Sequence, residues 1–95
     1  MILVNQGKFI EAEPICRDAI EKGKEALGEN HPQVAAGLNN LAILLMRQGK
    51  FTEAEPLCRE AIEKGKQALG ENHPQVVEAL KTLAKILPKL ENLLT

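Results

Sequence analysis

Aromatic side chains are almost absent from this chain of 95 residues. Phe9 and Phe51 are the only two, and there is no tyrosine or tryptophan. Proteins that bind single-stranded nucleic acids or sugars commonly stack them on aromatic rings. The formal net charge of -1 also gives no general attraction to nucleic acid or to anionic lipid. We therefore expect no nucleic-acid partner.

Long apolar runs and clustered cysteines are missing as well. No stretch approaches the roughly twenty apolar residues that a transmembrane helix needs, and the N-terminus has no signal-peptide pattern. Two cysteines, Cys16 and Cys58, are too few for a disulfide scaffold. These absences predict a soluble, cytoplasmic protein with no membrane partner and with two buried, reduced thiols.

Most of the chain is an internal repeat with a period of 42 residues. Residues 7–34 align with residues 49–76, and only four of these aligned positions differ. The string LGENHPQV occurs in both copies and contains the only two histidines, His31 and His73. A fixed period of this length indicates a repeat architecture in which each unit packs on its neighbours.

Apolar spacing divides each unit into two amphipathic helices. One is predicted over residues 32–48, with a proline at its first position and an apolar stripe at i, i+3, i+4 spacing. That stripe consists of Leu38, Leu41, Ala42 and Leu45. The other is predicted over residues 52–69, opened by a capping box of Thr52 and Glu55 and ended by Gly70.

The ends of the chain contain incomplete copies of this pattern. Residues 1–6 are interpreted as the remnant of a first helix, separated by a turn from the second helix of that repeat. A further helix begins at Pro74 and is expected to run to about Leu87, where Pro88 interrupts the pattern, and residues 89–95 are expected to form a last helical turn or two. Gly23 and Gly65 lie inside predicted helices, where glycine is unfavourable, and the sequence gives no reason for them.

These residues together resemble a tetratricopeptide repeat of the kinesin light chain-like subtype. The resemblance rests on LNNLA at 38–42, on the GKF and EAEP strings, and on LGENHPQV, with a period longer than the usual ~34 residues. It implies an all-α fold, an α-solenoid of antiparallel helix pairs in a right-handed superhelical stack. It divides a single domain into a truncated first repeat (1–31), a complete second repeat (32–73), and the first helix of a third repeat or a capping helix (74–95).

The resemblance also implies a protein-interaction scaffold whose first helices line a concave surface. The face opposite the packing stripe then contains the candidate peptide-binding residues, namely Asn39, Asn40, Ile43, Met46, Arg47, Lys81, Lys85 and Lys89. The three lysines follow i, i+4, i+8 spacing, and together with the amides they favour an acidic or carboxylate-ended peptide. Lysines that are simply solvated would show the same spacing.

The alternative is a structural segment that self-associates without a peptide ligand. In this interpretation the incomplete repeats leave apolar stripes unpaired at both ends of the stack. The candidate residues are Ile15, Ile20, Leu80, Leu83 and Leu87. The product would be a homo-oligomer.

Catalysis and metal binding are not expected. His31 and His73 lie one repeat apart, too far to share a metal ion, and each precedes a proline that opens a helix, where a side chain can cap free N–H groups. Cys16 and Cys58 are likewise one repeat apart, too far for a disulfide. The chain contains no catalytic triad pattern and no phosphate-binding loop, so we predict neither an enzyme nor a cofactor.

Overall fold

The computed structural model describes the backbone of residues 2–94 and the side chains of residues 8–93. Four helices follow one another: α1 Ile2–Leu27, α2 Pro32–Arg47, α3 Phe51–Leu69 and α4 Pro74–Leu94. Each helix packs on the next, and α2 also contacts α4. Connections of three or four residues make consecutive helices antiparallel. The predicted all-α stack is confirmed.

The two LGENHPQV strings are the joints between helices. Gly28 and Gly70 follow α1 and α3 with φ angles of +93° and +92°, a conformation that glycine adopts without strain. The Nδ1 atom of His31 accepts the N–H of Gln33 at 3.1 Å, and the equivalent His73 does the same at the start of α4. The predicted capping role of both histidines is therefore confirmed.

The core lies on both sides of α2. The predicted stripe of this helix is buried, with no member more than 2 % exposed. It packs between α1 and α3 together with Ile20, Ala54, Cys58, Ala61 and Ile62. The hydrophobic spacing thus located the core of this helix correctly.

A close helix contact explains one of the two glycines inside helices. A Cβ atom on Gly65 would lie 3.1 Å from Cγ2 of the buried Val76, so glycine lets α3 approach the start of α4, and this contact offsets its low helix propensity. A Cβ atom on Gly23 would lie 3.5 Å from Cγ2 of Val34, which is an ordinary van der Waals distance, so the structure gives no steric reason for Gly23.

The predicted capping box of α3 is wrong. The helix begins at Phe51, its N-cap is Lys50, and no side chain caps it. Thr52 is exposed at the second helical position, and Glu55 accepts a hydrogen bond from Arg59 at 3.0 Å. Phe51 packs against the core and so draws the start of the helix back by one residue.

Both terminal helices are continuous where an interruption was predicted. Residues 2–6 are not a separate helix, because α1 runs without a turn from Ile2 through Gly7 to Leu27; Met1 lies outside the described residues. A segment this short cannot bury enough surface to favour a turn, so the helix simply continues. Likewise α4 runs through Pro88 to Leu94, since Leu90 beyond the proline packs on the core.

Candidate functional site

The candidate groove is the face where α2 meets α4. On α2, Asn39, Ile43 and Met46 are half-buried, and Met46 also packs against the core. Asn40 and Arg47 are exposed. The α2 side of this surface therefore offers an amide, two apolar side chains and a guanidinium. Asn40 is not part of it, because Asn40 lines a cleft between α1 and α2 with Cys16 and Gly37.

Asn39 has an unusual environment on this face. Its side-chain oxygen Oδ1 is buried and has no hydrogen-bond partner among the described residues. A buried acceptor without a partner costs about 1–3 kcal/mol, which makes such atoms rare in folded proteins. Asn39 Oδ1 is therefore an unsatisfied acceptor beneath this face, and its part in peptide binding stays a prediction.

The lysine row continues the face on α4. Lys81, Lys85 and Lys89 are all exposed, and they occupy the positions that Asn39, Ile43 and Arg47 occupy one repeat earlier. Nζ of Lys81 lies 3.7 Å from an oxygen of Glu78, in a pair that is mostly exposed and so contributes little stability. Within the described side chains, Lys85 and Lys89 form no ion pair.

Three of the five residues predicted to self-associate are exposed on the terminal helices. Ile15 on α1 is 70 % exposed, and Leu80 and Leu87 on α4 are 43 % and 37 % exposed. Leu83 is only half-buried and packs against the core. The prediction for Ile20 is wrong, because its side chain is 7 % exposed and forms part of the core.

Gly37 is the reason that Ile20 is buried. A Cβ atom on Gly37 would lie 2.9 Å from Cγ1 of Ile20, so the isoleucine fills the space that this glycine leaves on α2. Helical spacing alone placed Ile15 and Ile20 on one stripe. In the structure, Ile20 lies on the side of α1 that α2 covers, and Ile15 lies on the exposed side.

Two repeat-related clefts were not predicted from the sequence. The first lies between α1, α2 and α3, and Arg17, Ile20, Leu38, Leu57 and Glu60 are among its lining residues. The second is lined by Arg59, Ile62, Glu63, Lys66, Leu80 and Leu83, which are counterparts of first-cleft residues 42 positions earlier. The 42-residue repeat could have predicted that a cleft in one helix pair recurs in the next pair. Helix α3 forms a third wall of the first cleft, whereas the described residues that line the second cleft belong to α3 and α4 alone.

Reactive side chains contribute to packing. Sγ of Cys58 lies 3.1 Å from the carbonyl oxygen of Ala79, and burial raises the pKa of the Cys58 thiol to about 11. Burial also raises the pKa of Cys16, and both cysteines are free. Among the described residues, no three His, Cys, Asp or Glu side chains are placed to hold a metal ion.

Glu13 joins α1 to the turn between α2 and α3. Its carboxylate accepts hydrogen bonds from Gln48 at 3.2 Å and Arg17 at 3.1 Å, and Nζ of Lys50 lies 3.7 Å away. The hydrogen bond from Gln48 and then that from Arg17 lower the pKa of Glu13. These contacts give the carboxylate a structural role, in which it stabilises the turn.

The comparison with known proteins agrees with this architecture. A profile of the tetratricopeptide repeat matches two successive stretches, residues 1–33 and 34–75. No significant match to a curated protein was found. Within the described part of the chain, no helix is both long and apolar enough to cross a membrane. With its two matched repeats and its stack of antiparallel helices, the chain belongs to the tetratricopeptide repeat family, a non-enzymatic module for protein–protein interaction.

Proposed function

We propose that this scaffold binds an acidic peptide segment of a partner protein across the α2–α4 face. The observation that carries the proposal is the exposed row of Lys81, Lys85 and Lys89 on α4, a helix that contacts α2, where Asn39 has a buried, unpaired Oδ1. The kinesin light chain-like subtype, a cytoplasmic location and the division into repeats at residues 31 and 73 stay predictions.

The chemistry of the face favours an extended ligand with carboxylates. Ammonium groups form charge-assisted hydrogen bonds with carboxylates, and Asn39 can accept one backbone N–H that an extended peptide leaves unpaired. Ile43 and Met46 add half-buried apolar surface between the polar groups. A basic peptide would be repelled by the same row.

Charge reversal on α4 tests the proposal. Acidic and basic peptide libraries are titrated against the parent chain and against a Lys81→Glu, Lys85→Glu variant, with fluorescence anisotropy as the readout. We expect acidic peptides to bind the parent chain and to lose at least tenfold in affinity on the variant. Added salt should weaken the binding, because these charges are exposed.

A matched control carries the same charge change elsewhere. Lys8→Glu with Lys22→Glu changes two exposed lysines of α1 and leaves α4 intact. This control should bind like the parent chain. Equal binding by the α4 variant and the parent chain would exclude the lysine row as the site.

Self-association is a second candidate function. It is favoured by the exposure of Ile15, Leu80 and Leu87, which are large apolar side chains at the two ends of the stack. Exposed apolar surface of this kind is typical of interaction sites. This function does not depend on the lysine row.

A further inference from the structure

We infer that copies of this chain associate head to tail, with α4 of one copy packed on α1 of the next as α2 packs on α3 within the chain. This inference rests on the self-association proposed above, and it specifies the partner, the faces and the register.

Helix α4 has an exposed apolar face. Leu80, Ala84 and Leu87 are the counterparts of Leu38, Ala42 and Leu45, with identical residue types. On α2 these residues are at most 2 % exposed, whereas on α4 all three are exposed. The difference arises because α3 covers this face of α2. Helix α4 therefore presents the same helix-binding stripe, and no helix of the described chain covers it.

Helix α1 has a matching exposed face. Ala61 is buried and Leu57 is half-buried on α3, but their counterparts Ala19 and Ile15 are exposed on α1. Helix α1 packs on α2 as α3 packs on α4, and the face of α3 that α2 covers is the one that no described helix covers on α1. Helix α1 therefore has the surface with which α3 covers α2. At these two positions the only difference is that α1 has Ile15 where α3 has Leu57.

The clefts show how the two faces would fit. In the first cleft, Leu57 and Glu60 of α3 form the third wall. The second cleft has no such wall among the described residues. A second copy, bound so that the repeat continues from one copy to the next, would place its Ile15 and Asp18 beside the second cleft of the first copy. There they would take the positions that Leu57 and Glu60 have beside the first cleft. These substitutions preserve the apolar and acidic character of the wall.

Two polar contacts between successive joints define the register. Nζ of Lys64 donates to the carbonyl oxygen of Glu29 at 3.0 Å. Nε2 of Gln75 donates to the carbonyl oxygen of Pro32 at 2.8 Å. The 42-residue shift converts them into contacts between copies, from Lys22 and Gln33 of the second copy to the carbonyl oxygens of Glu71 and Pro74 of the first. Both donors are exposed within one copy.

The symmetry of this arrangement predicts its size distribution. The two faces differ, so each interface leaves one free α1 face and one free α4 face, and association continues beyond a dimer. The small net charge of -1 gives little repulsion between copies. We expect the weight-average mass in sedimentation velocity to rise steadily with concentration.

Two variants block one face each. Leu80→Glu places a charge on the α4 face, and Ile15→Glu places one on the α1 face. Both side chains are exposed in a single copy, so the helical content by circular dichroism should not change. Each variant alone should be monomeric, whereas an equimolar mixture should form dimers and nothing larger, since one intact face of each kind remains. Ile10→Glu, at another exposed position on α1, should associate like the parent chain.

Each alternative outcome is distinguishable. A parent chain that stays monomeric at millimolar concentration overturns both self-association and this register. Association of either variant alone, or a mixture that stays monomeric while the parent chain associates, overturns the head-to-tail register and leaves self-association standing. Peptide titration at low protein concentration is unaffected by these results, so it tests the groove separately.

Discussion

Histidine and cysteine, the residues that most often perform chemistry in proteins, contact the backbone here. His31 and His73 accept N–H groups at the starts of α2 and α4, and Cys58 contacts the carbonyl oxygen of Ala79. Buried thiols with raised pKa values are poor nucleophiles, because the thiolate is the reactive form. Among the individual residues that the structure describes, Asn39 is the one with a buried side-chain oxygen, Oδ1, that lacks a hydrogen-bond partner.

Cys58 should react more slowly than Cys16 with iodoacetamide at pH 8. Cys58 is fully buried, and its pKa of about 11 keeps it protonated at that pH, whereas Cys16 is partly exposed. Mass spectrometry of the modified peptides measures both rates in one sample. The two rates should become equal in denaturant. Equal rates in the native protein would contradict the burial of Cys58.

Asn39→Ala should separate stability from binding. Removing the buried, unpaired oxygen should stabilise the chain in urea by about 1 kcal/mol, offset in part by lost side-chain contacts. The same change should weaken acidic-peptide binding about fivefold, because one hydrogen bond to the ligand is lost. Asn40→Ala is the control, because in the structure this exposed side chain lines the cleft between α1 and α2 and not the α2–α4 face, so neither quantity should change. Unchanged peptide affinity in Asn39→Ala would show that the oxygen is not used.

At the scale of the helix, glycines set both the ends and the spacing of elements. Gly28, Gly49 and Gly70 have positive φ angles at turns. Gly65 instead permits close contact with Val76. The same residue type therefore has two structural roles, which predict different effects of substitution.

Three alanine substitutions should differ in sign or size. Gly23→Ala should stabilise the chain by about 0.5–1 kcal/mol, since a Cβ atom fits at 3.5 Å and alanine favours the helix. Gly65→Ala should gain less or lose stability, because Val76 lies at 3.1 Å and is fully buried. Gly28→Ala should lose about 1–2 kcal/mol through its positive φ. Urea denaturation measures all three, and equal effects would contradict these roles.

In the whole molecule, a shift of 42 residues relates each buried helix face to an exposed helix face. The same sequence that forms the buried interface between α2 and α3 appears again on the outer faces of α4 and α1. A chain with these two faces is complementary to its own copy. Its stability should therefore depend on its concentration.

Thermal unfolding provides the corresponding prediction. The midpoint for the parent chain should rise with protein concentration, because association buries apolar surface only in the folded state. The midpoint for Ile15→Glu should stay constant over the same range. Scanning calorimetry at several concentrations measures both. A parent midpoint that does not move would contradict association of the folded chain.

The repeat, the helical class, the joints and the packing stripe of α2 could all be predicted from the sequence. Those features depend on local spacing and on residues such as Gly28, His31 and Pro32, whose effects act within a few positions of the chain. Tertiary structure alone decided that Ile20 is buried while Ile15 is exposed, that Thr52 does not cap α3, and that α1 and α4 continue through Gly7 and Pro88. Each of these depends on which helix lies alongside, and periodicity within one helix carries no information about its neighbours.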